Sequence, residues 1–591
     1  MLLFGFILFL AFQSSFCIFD SESSEEYRQK RNFVLGSRKD YSSLYYRHNS
    51  FKIEGEGEER FYTYKSACYL DDRVQLIEGF DCKNQIAVGR FRNAINSTGW
   101  SYLEIETKSG FDTDLQAYAA GVLEGVLSQK VIDYALQNTF NDYCKGYQKY
   151  CARLNRYLNQ NLLYIKKKIE NAPKDDPYWQ SIRRSFLQLT GVLDGFNNNT
   201  SFEKIEINYN IHPIMMININ GELYDLDKKF NKTKDPINSE EGSKCSGLIK
   251  VTPNNADLLI SQVTMSGFQN LLRVLKLYKF GYDERMFPGH TTTFASYPGM
   301  LYSSDDFALL SSGLASIETT IAVWNQSLYD YTKPEDQLHT WVRAIAANQL
   351  ARTGREWCQI FRRHNSGTYN NQWIVLDYKK FQPYRPLPDH GLLYVLEQMP
   401  GLIVYKDITG YLEEHKYYAS YNIPFFKKIS EVSGFAKKEK EFYWYSWSDC
   451  PRSKIFKRDH SKVVDIETLK TLMRYNDYTH EPFSRCNCTP PYTAEAAVSA
   501  RGDLNPANGT YPLVGMGHVN HGALDYKGTN YQLFKQLRFR ALSSPAYENV
   551  PAFQWSKCDL AATVKHVGHP DLWNFESIQT AWETPNTKAE L

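Results

Sequence analysis

The sequence predicts a mixed α and β protein in which two stretches of one chain complete a single composite fold. Three observations carry that prediction. Residues 18–224 and 245–591 each combine alternating apolar runs with helix-spaced apolar residues, yet neither holds a full sheet-and-helix set. Between them, residues 225–244 are polar, charged and rich in turn formers, the composition of an exposed, protease-accessible linker. Directly after it, Cys245 opens a β-like run, Cys245-Ser-Gly-Leu-Ile-Lys-Val251. A cut before Cys245 would leave a thiol nucleophile and a free amine base on one residue.

The elements follow in chain order. Met1 to Phe12 is an apolar core followed by the small residues of Gln13-Ser-Ser-Phe-Cys17, which reads as a secretory signal peptide over 1–17 without the usual basic start. At about a dozen residues the core is too short to span a bilayer, and no later stretch is long and apolar enough, so no transmembrane anchor is expected. Ile86 to Glu106 alternates around an Asn96-Ser-Thr-Gly99 turn and predicts a hairpin; helix-like stretches follow at 113–137, 150–171 and 177–195. Lys204–Ile211 and Pro213–Asn220 form a strand-rich run. Beyond Cys245 come a turn, Thr252-Pro-Asn-Asn-Ala-Asp257, and a second apolar run, Leu258–Met265. Phe268, Leu271, Leu272 and Leu275 then have helical spacing, so the reading is a nucleophile on a hairpin backed by a helix. Further strands are predicted at 300–309, 314–323, 372–378 and 392–405, with a helix over 334–352.

A net charge of +2 and a pI of 7.9 exclude a global field for nucleic acid, and Lys166-Lys-Lys168 reads as a solvated helix face. Export is supported independently by N-glycosylation sequons at Asn96, Asn198, Asn199, Asn231, Asn325, Asn487 and Asn508, so the expected location is secreted or lysosomal. Export also permits disulfides, with Cys144/Cys151 and Cys486/Cys488 the closest pairs and Cys68/Cys82 a third. Of 11 cysteines, ten remain once Cys17 leaves with the signal, and an unpaired Cys245 leaves at least one other thiol free.

The usual hydrolase signatures are missing: there is no Gly-x-Ser-x-Gly elbow, no His-Glu-x-x-His helix and no Gly-rich phosphate loop. His480 with Cys486 and Cys488, or His518 with His521, lack the spacing of a zinc site, so neither metal nor cofactor is expected. Arg501-Gly-Asp503 spells an integrin tripeptide, but its surroundings read as a turn-rich loop.

Several runs together resemble the phospholipase B-like family: Lys244-Cys-Ser-Gly-Leu-Ile-Lys250, Asp257-Leu-Leu, Phe294-Ala-Ser-Tyr-Pro-Gly299, Glu318-Thr-Thr320, Asn365-Ser-Gly-Thr-Tyr-Asn-Asn-Gln-Trp373, Ser420-Tyr-Asn-Ile-Pro424, Arg474-Tyr-Asn-Asp477, Asp503-Leu-Asn-Pro-Ala-Asn-Gly509 and Gly568-His-Pro-Asp-Leu-Trp573. The resemblance implies an α+β N-terminal nucleophile hydrolase fold, a four-layer αββα sandwich formed jointly by the two fragments after autocleavage between Lys244 and Cys245. It implies an exported acyl hydrolase acting on a lipid or acylated small molecule, the family name implying removal of fatty acyl chains from glycerophospholipids. An N-acyl amide hydrolase and a catalytically reduced lipid-binding glycoprotein are the alternatives. By the same resemblance, Cys245 is the nucleophile, Asn422 supplies a side-chain amide to the oxyanion hole, Arg452 brings positive charge and Thr320 lines the pocket. A free α-amine titrates near about 7.7–8.0 and a thiol near about 8.5, so proton transfer between them is nearly isoenergetic. One departure stands out: family members commonly carry His-Asn-Thr-Trp where this chain reads Gln262-Val-Thr-Met265. Gln262 cannot carry a proton at mildly acidic pH and Met265 is softer than an indole, which implies shifted specificity or reduced activity.

Overall fold

The computed structural model describes residues 62–71, 73–232, 245–583 and 589; the expected signal segment 1–17 and the cleavage residue Lys244 lie outside the described residues. In the first stretch, Thr63–Leu70, Arg73–Glu78, Gln85–Ala94 and Trp100–Thr107 (β1) pair antiparallel in one sheet. The hairpin expected around Asn96 is there, closed by Gly99 at φ 77°, a left-handed backbone that glycine adopts without steric cost.

The second stretch opens with two antiparallel strands, Cys245–Val251 (β2) and Leu258–Ser266 (β3), in register from Cys245↔Thr264 to Val251↔Leu258. Asn254 and Asn255 turn the chain between them, both at positive φ, a conformation asparagine tolerates better than most residues. The expected helix behind this hairpin is absent. Phe268–Asn270 makes a single 3-10 turn, and the chain then runs into a strand, Arg273–Lys279 (β4). The helical spacing arose because Phe268 and Leu271 belong to a turn packed on Phe553 and Trp555, whereas Leu275 is the inward residue of a strand.

β4 pairs in parallel with β1, from Trp100↔Arg273 to Glu106↔Lys279. This join fuses the two stretches into one twelve-stranded sheet, continued by Thr291–Ser296, Ala308–Leu310, Leu314–Thr320 (β5), Asn371–Asp377 (β6), Leu393–Met399 and Leu402–Asp407. The expected strand over 300–309 is mostly loop, and the run at 392–405 is a hairpin rather than one strand. β2 and β3 lie in a second sheet with Tyr417–Ser420 (β7) and Tyr526–Thr529 (β8), ordered β7-β2-β3-β8 and then Arg540–Leu542 and Ile578–Gln579.

The two sheets share a core that includes Ile249, Val251, Leu258 and Ile260 with Leu275, Leu277, Ile317 and Ile374. The other face of the large sheet, with Val274, Phe294 and Trp373, is covered by Thr113–Leu127 (α1), Thr340–Leu350 and Gly354–Phe361. Ile466–Met473 packs against β3 and β8 of the small sheet. Helices thus flank a pair of sheets, a mixed α+β sandwich to which both stretches contribute.

α1 and Pro177–Phe196 (α2) start on aspartate caps, Asp112 and Asp176, whose carboxylates accept the first free backbone N–H groups. They cross at Gly121, Gly125, Gly191 and Gly195. A Cβ on Gly121 would lie 2.1 Å from the carbonyl oxygen of Gln188, and one on Gly195 would lie 2.2 Å from that of Val122. Alanine is the better helix former, but Gly121→Ala is expected to destabilise the protein by about 1–3 kcal/mol through overpacking. Thermal unfolding of the variant checks this; a raised Tm would contradict the close crossing.

The strand-rich run expected at 204–220 is corrected. Lys204–Ile211 has no regular structure, and Pro213–Asn218 and Asn220–Lys229 (α3) are helical. Pro213 at the first helical position and the His212 ring, whose Nδ1 accepts from the Met215 N–H, start that segment as a helix, and Ile214, Met216 and Ile217 are buried in a helical cluster despite their strand preference. α3 also takes in the start of the expected linker: Asp225, Leu226 and Asp227 are buried, and the Tyr329 hydroxyl donates to Asp225. Residues 233–244 lie outside the described residues.

Glu222 of α3 receives the backbone N–H groups of Thr340 and Trp341, at the start of Thr340–Leu350 (α4), at 2.6 and 3.3 Å. Burial pushes its carboxyl up to about 8, against the pull of Thr368 and Arg343. A folded-state value above the ordinary one contributes stability that is full below about pH 4.5 and lost as pH rises through about 8. Between pH 5 and pH 8 the Tm of Glu222→Gln is therefore expected to rise relative to that of the parent; a constant difference would refute the assignment.

Candidate functional site

Cys245 begins β2, 3% exposed, and is one of four free cysteines among the described residues, with Cys358, Cys450 and Cys558. The remaining described cysteines form Cys68–Cys82, Cys144–Cys151 and Cys486–Cys488, the three pairs expected from spacing. The last of these removes both thiols from any metal arrangement with His480.

Three polar side chains hold Cys245, one at each of its functional groups. The backbone N–H donates to Asn422 Oδ1 at 3.4 Å, the carbonyl accepts from Arg452 Nη1 at 2.5 Å, and Sγ lies 3.8 Å from Glu318 Oε1. Burial first, then the neighbouring Glu318, pushes the thiol well above its ordinary range, against a backbone hydrogen bond from Met265. In the uncut chain the sulfur is a protonated thiol.

Asn422 follows β7 at φ 69°, in the left-handed region where asparagine is one of the few side chains at ease. Its orientation is fixed by chemistry. Arg452 Nη2 can only donate and sits 2.8 Å from one end of the amide; the Thr320 carbonyl can only accept and sits 2.8 Å from the other. The oxygen therefore faces Cys245, and one of the two N–H groups of the nitrogen donates to Thr320. Its oxygen thus accepts from the Cys245 N–H beside the α-nitrogen, and its second N–H is the donor that the oxyanion-hole reading calls for.

Arg452 lies in Pro451–Asp459 (α5) and is 7% exposed. Its guanidinium also donates to Ser246 Oγ and the Tyr421 carbonyl, so these hydrogen bonds all end on neutral oxygens. Burial lowers its pKa, and the nearby Cys450, Cys245 and Glu495 oppose that.

Gln262 is fully buried across from Gly247, between Glu318, whose carbonyl accepts from Nε2 at 3.3 Å, and the Thr264 hydroxyl, which donates to Oε1. Met265 follows Thr264, the residue opposite Cys245, so strand alternation turns its side chain to the other face and only its backbone reaches the sulfur. Neither residue lines the open pocket, the place expected for them; Thr320 does.

That pocket has about 680 Å³ of empty space, part of it open to solvent, in front of Asn422 and Arg452. Tyr224, Trp324, Phe435, Trp444 and Tyr445 make its walls aromatic, with Lys228 and Glu495 as further polar members. Glu495 is paired with His521 Nδ1 at 2.9 Å.

Behind Thr264 lies a buried ion cluster. Arg273 Nη1 bonds Asp525 at 2.8 Å, and Arg273 also pairs with Asp305; Lys527 reaches both carboxylates at 3.0 and 2.8 Å. Asp525 accepts from the Thr264 N–H and Lys527 donates to its hydroxyl, which fixes the residue opposite Cys245. Glu495, Asp525 and Lys527 escaped the sequence reading because nothing in their spacing marks them, and nothing in the Glu318-Thr-Thr320 run assigns Glu318 a role.

Elsewhere, Arg501 is 1% exposed and bonds Asp503 through two nitrogens at 2.8 and 2.7 Å, so the tripeptide is folded inward as a structural ion pair. The sequon asparagines are all exposed. No helix among the described residues is long and apolar enough to cross a membrane.

The family model described as Phospholipase B matches residues 87–580. A phospholipase B-like 2 protein of Caenorhabditis elegans is 54% identical over 577 residues, covering 94% of this chain and 98% of the relative. A phospholipase B-like 2 protein of Rattus norvegicus is 40% identical over 86% of this chain and 88% of its own length. Phospholipase B-like protein B of Dictyostelium discoideum is 35% identical over 83% of this chain and 84% of its own. With the family model spanning most of the residues that build both sheets and the site around Cys245, the chain belongs to the phospholipase B-like family.

Proposed function

We propose that the protein is an exported acyl hydrolase of the N-terminal nucleophile type, activated by cleavage between Lys244 and Cys245 and acting on glycerophospholipids. The observation that carries the reading is the separate holding of nitrogen, carbonyl and sulfur of Cys245 by Asn422, Arg452 and Glu318, directly behind an aromatic pocket. In this scheme cleavage turns the Cys245 amide into an α-amine that donates to Asn422 Oδ1, leaving its lone pair to take the thiol proton. The thiolate attacks the ester carbonyl, the protonated amine returns its proton to the leaving alcohol, and water releases the fatty acid from the thioester. Aromatic walls suit an acyl chain, and Arg452 supplies positive charge at the inner end.

The test is hydrolysis of diacylphospholipid measured beside an N-acyl amide with the same chain. Ester turnover supports the reading, and amide-only turnover replaces it with the amidase alternative. Turnover of neither by correctly cut protein favours the lipid-binding alternative that the Gln262 and Met265 departure suggests. Asn422→Ala is expected to lower kcat by about 10²-fold, since it frees the amine and strips the Thr320 carbonyl and Arg452 of partners; an unchanged kcat would remove Asn422 from the mechanism.

A further inference from the structure

Self-cleavage poses a problem that the mature enzyme does not have. The α-amine that serves as base is, before the cut, a peptide nitrogen with no proton affinity to offer. The thiol is buried, and its surroundings make the thiolate costly. Some other group must take the Sγ proton the first time.

We propose that Glu318 is the general base of the activating cleavage, and that it acts in the precursor alone. This rests on the N-terminal nucleophile reading above. Glu318 ends two residues before the close of β5, at Thr320, and its Oε1 stands 3.8 Å from Cys245 Sγ, within reach of a sulfur hydrogen bond. The carboxylate is held from two further sides. Tyr369 donates to Oε1 at 3.2 Å, and the Asn371 amide satisfies its neighbours with its nitrogen toward Oε2 at 3.1 Å. Gln262 fixes the backbone, donating to the Glu318 carbonyl. A carboxylate positioned by three neighbours and aimed at a buried thiol is more than a core residue needs.

The titratable groups facing Glu318 include Cys245 from β2, Tyr369 beside β6, and the loop residues Tyr302 and Asp306, the last of which also feels Asp305 and Glu222. Burial, then Glu318 itself, pushes the Asp306 carboxyl well above its usual range, so Asp306 sits beside Glu318 as a neutral acid.

The atoms balance. Glu318 Oε1 takes the proton from Sγ, the thiolate adds to the Lys244 carbonyl carbon, and the C–S bond forms. The C–N bond to Cys245 breaks as Glu318 gives that proton to the departing nitrogen, which Asn422 Oδ1 already holds by its N–H. Water then hydrolyses the thioester, leaving the Lys244 carboxylate and a Cys245 with free thiol and amine. One water is consumed and nothing is oxidised or reduced.

The experiment follows pulse-labelled full-length chain to its fragments at fixed pH between 5 and 9, for the parent, Glu318→Gln and Glu318→Asp. Thermal unfolding of each confirms that it is folded. The parent is expected to cut before Cys245, with a rate that levels off once the carboxylate is ionised. Glu318→Gln should cut about 10²–10⁴-fold more slowly at pH 6, with a rate proportional to hydroxide up to pH 9, since only solvent then removes the thiol proton. Glu318→Asp should keep the parental profile at a reduced rate, which a merely structural residue would not do; if Glu318→Gln fails to fold, this profile alone decides. Parental rate and profile in Glu318→Gln, or a hydroxide-proportional profile in Glu318→Asp, overturns the proposal while leaving the nucleophile reading intact. A parent that is never cut before Cys245 overturns both.

Discussion

Cys245→Ala is expected to abolish hydrolysis, lowering kcat by at least about 10³-fold while the chain remains folded and uncut. The physical reason is that one residue supplies both reactants of the chemistry: remove Sγ and there is no attack on Lys244, hence no α-amine, hence no base even for an added nucleophile. The truncation removes a single atom, which lies beside Glu318 and the Met265 backbone. Cys245→Ser separates the two roles. Its hydroxyl can attack but deprotonates with more difficulty than a thiol, so slow cleavage with reduced turnover is expected. Parental activity in the alanine variant, measured on purified protein with the same phospholipid, would remove Cys245 from the mechanism.

The second large effect is on stability. Asp525→Ala is expected to cost about 3–5 kcal/mol, the range for breaking one partner out of a buried ion cluster. Arg273 and Lys527 would be left sharing Asp305, with side chains of 0% exposure. Burial raises the Asp525 carboxyl, but Arg273 and Lys527 outweigh it and hold the group below its ordinary 3.8. A depressed folded value means that its stability contribution is present above about pH 3.8 and lost as pH falls through that folded value. The cost of Asp525→Ala, read from denaturant unfolding, should therefore be the same at pH 7 and pH 5. A cost that shrinks by half at pH 5 would mean the carboxyl is already protonated there. Because Asp525 also accepts from Thr264, directly across from Cys245, the variant should slow cleavage as well.

How far the sequence reached depended on what each element's side chains face. The hairpin at 86–106, β2, β3, β5 and β6 were legible because each is a run of strand length set off by turn residues, although β2, β5 and β6 are buried on both faces. Pro213–Asn220 misled because isoleucine and methionine there bury in a helical cluster, and the deciding signals were a proline at a helix start and a histidine cap. Phe268 to Leu275 misled in the opposite direction, a turn and a strand whose apolar residues happened to fall three and four apart. At the site, Cys245, Asn422, Arg452 and Thr320 came from short runs and do converge in space. Glu318 stood inside one of those runs, yet its position beside Sγ depends on how β2 and β5 stack across two sheets, a long-range relation that no local spacing records. The orientation of Asn422 likewise needed Arg452 and Thr320 placed at its two ends before its oxygen and nitrogen could be told apart.

The central claim is that Cys245 becomes a chain terminus by its own chemistry, and N-terminal sequencing of the fragments of purified mature protein, run beside Cys245→Ala expressed identically, tests it most directly. The account predicts a fragment beginning at Cys245 in the parent and no such fragment in the variant. A parent chain left uncut, a fragment beginning upstream of Cys245, or the same cut in the alanine variant would contradict it.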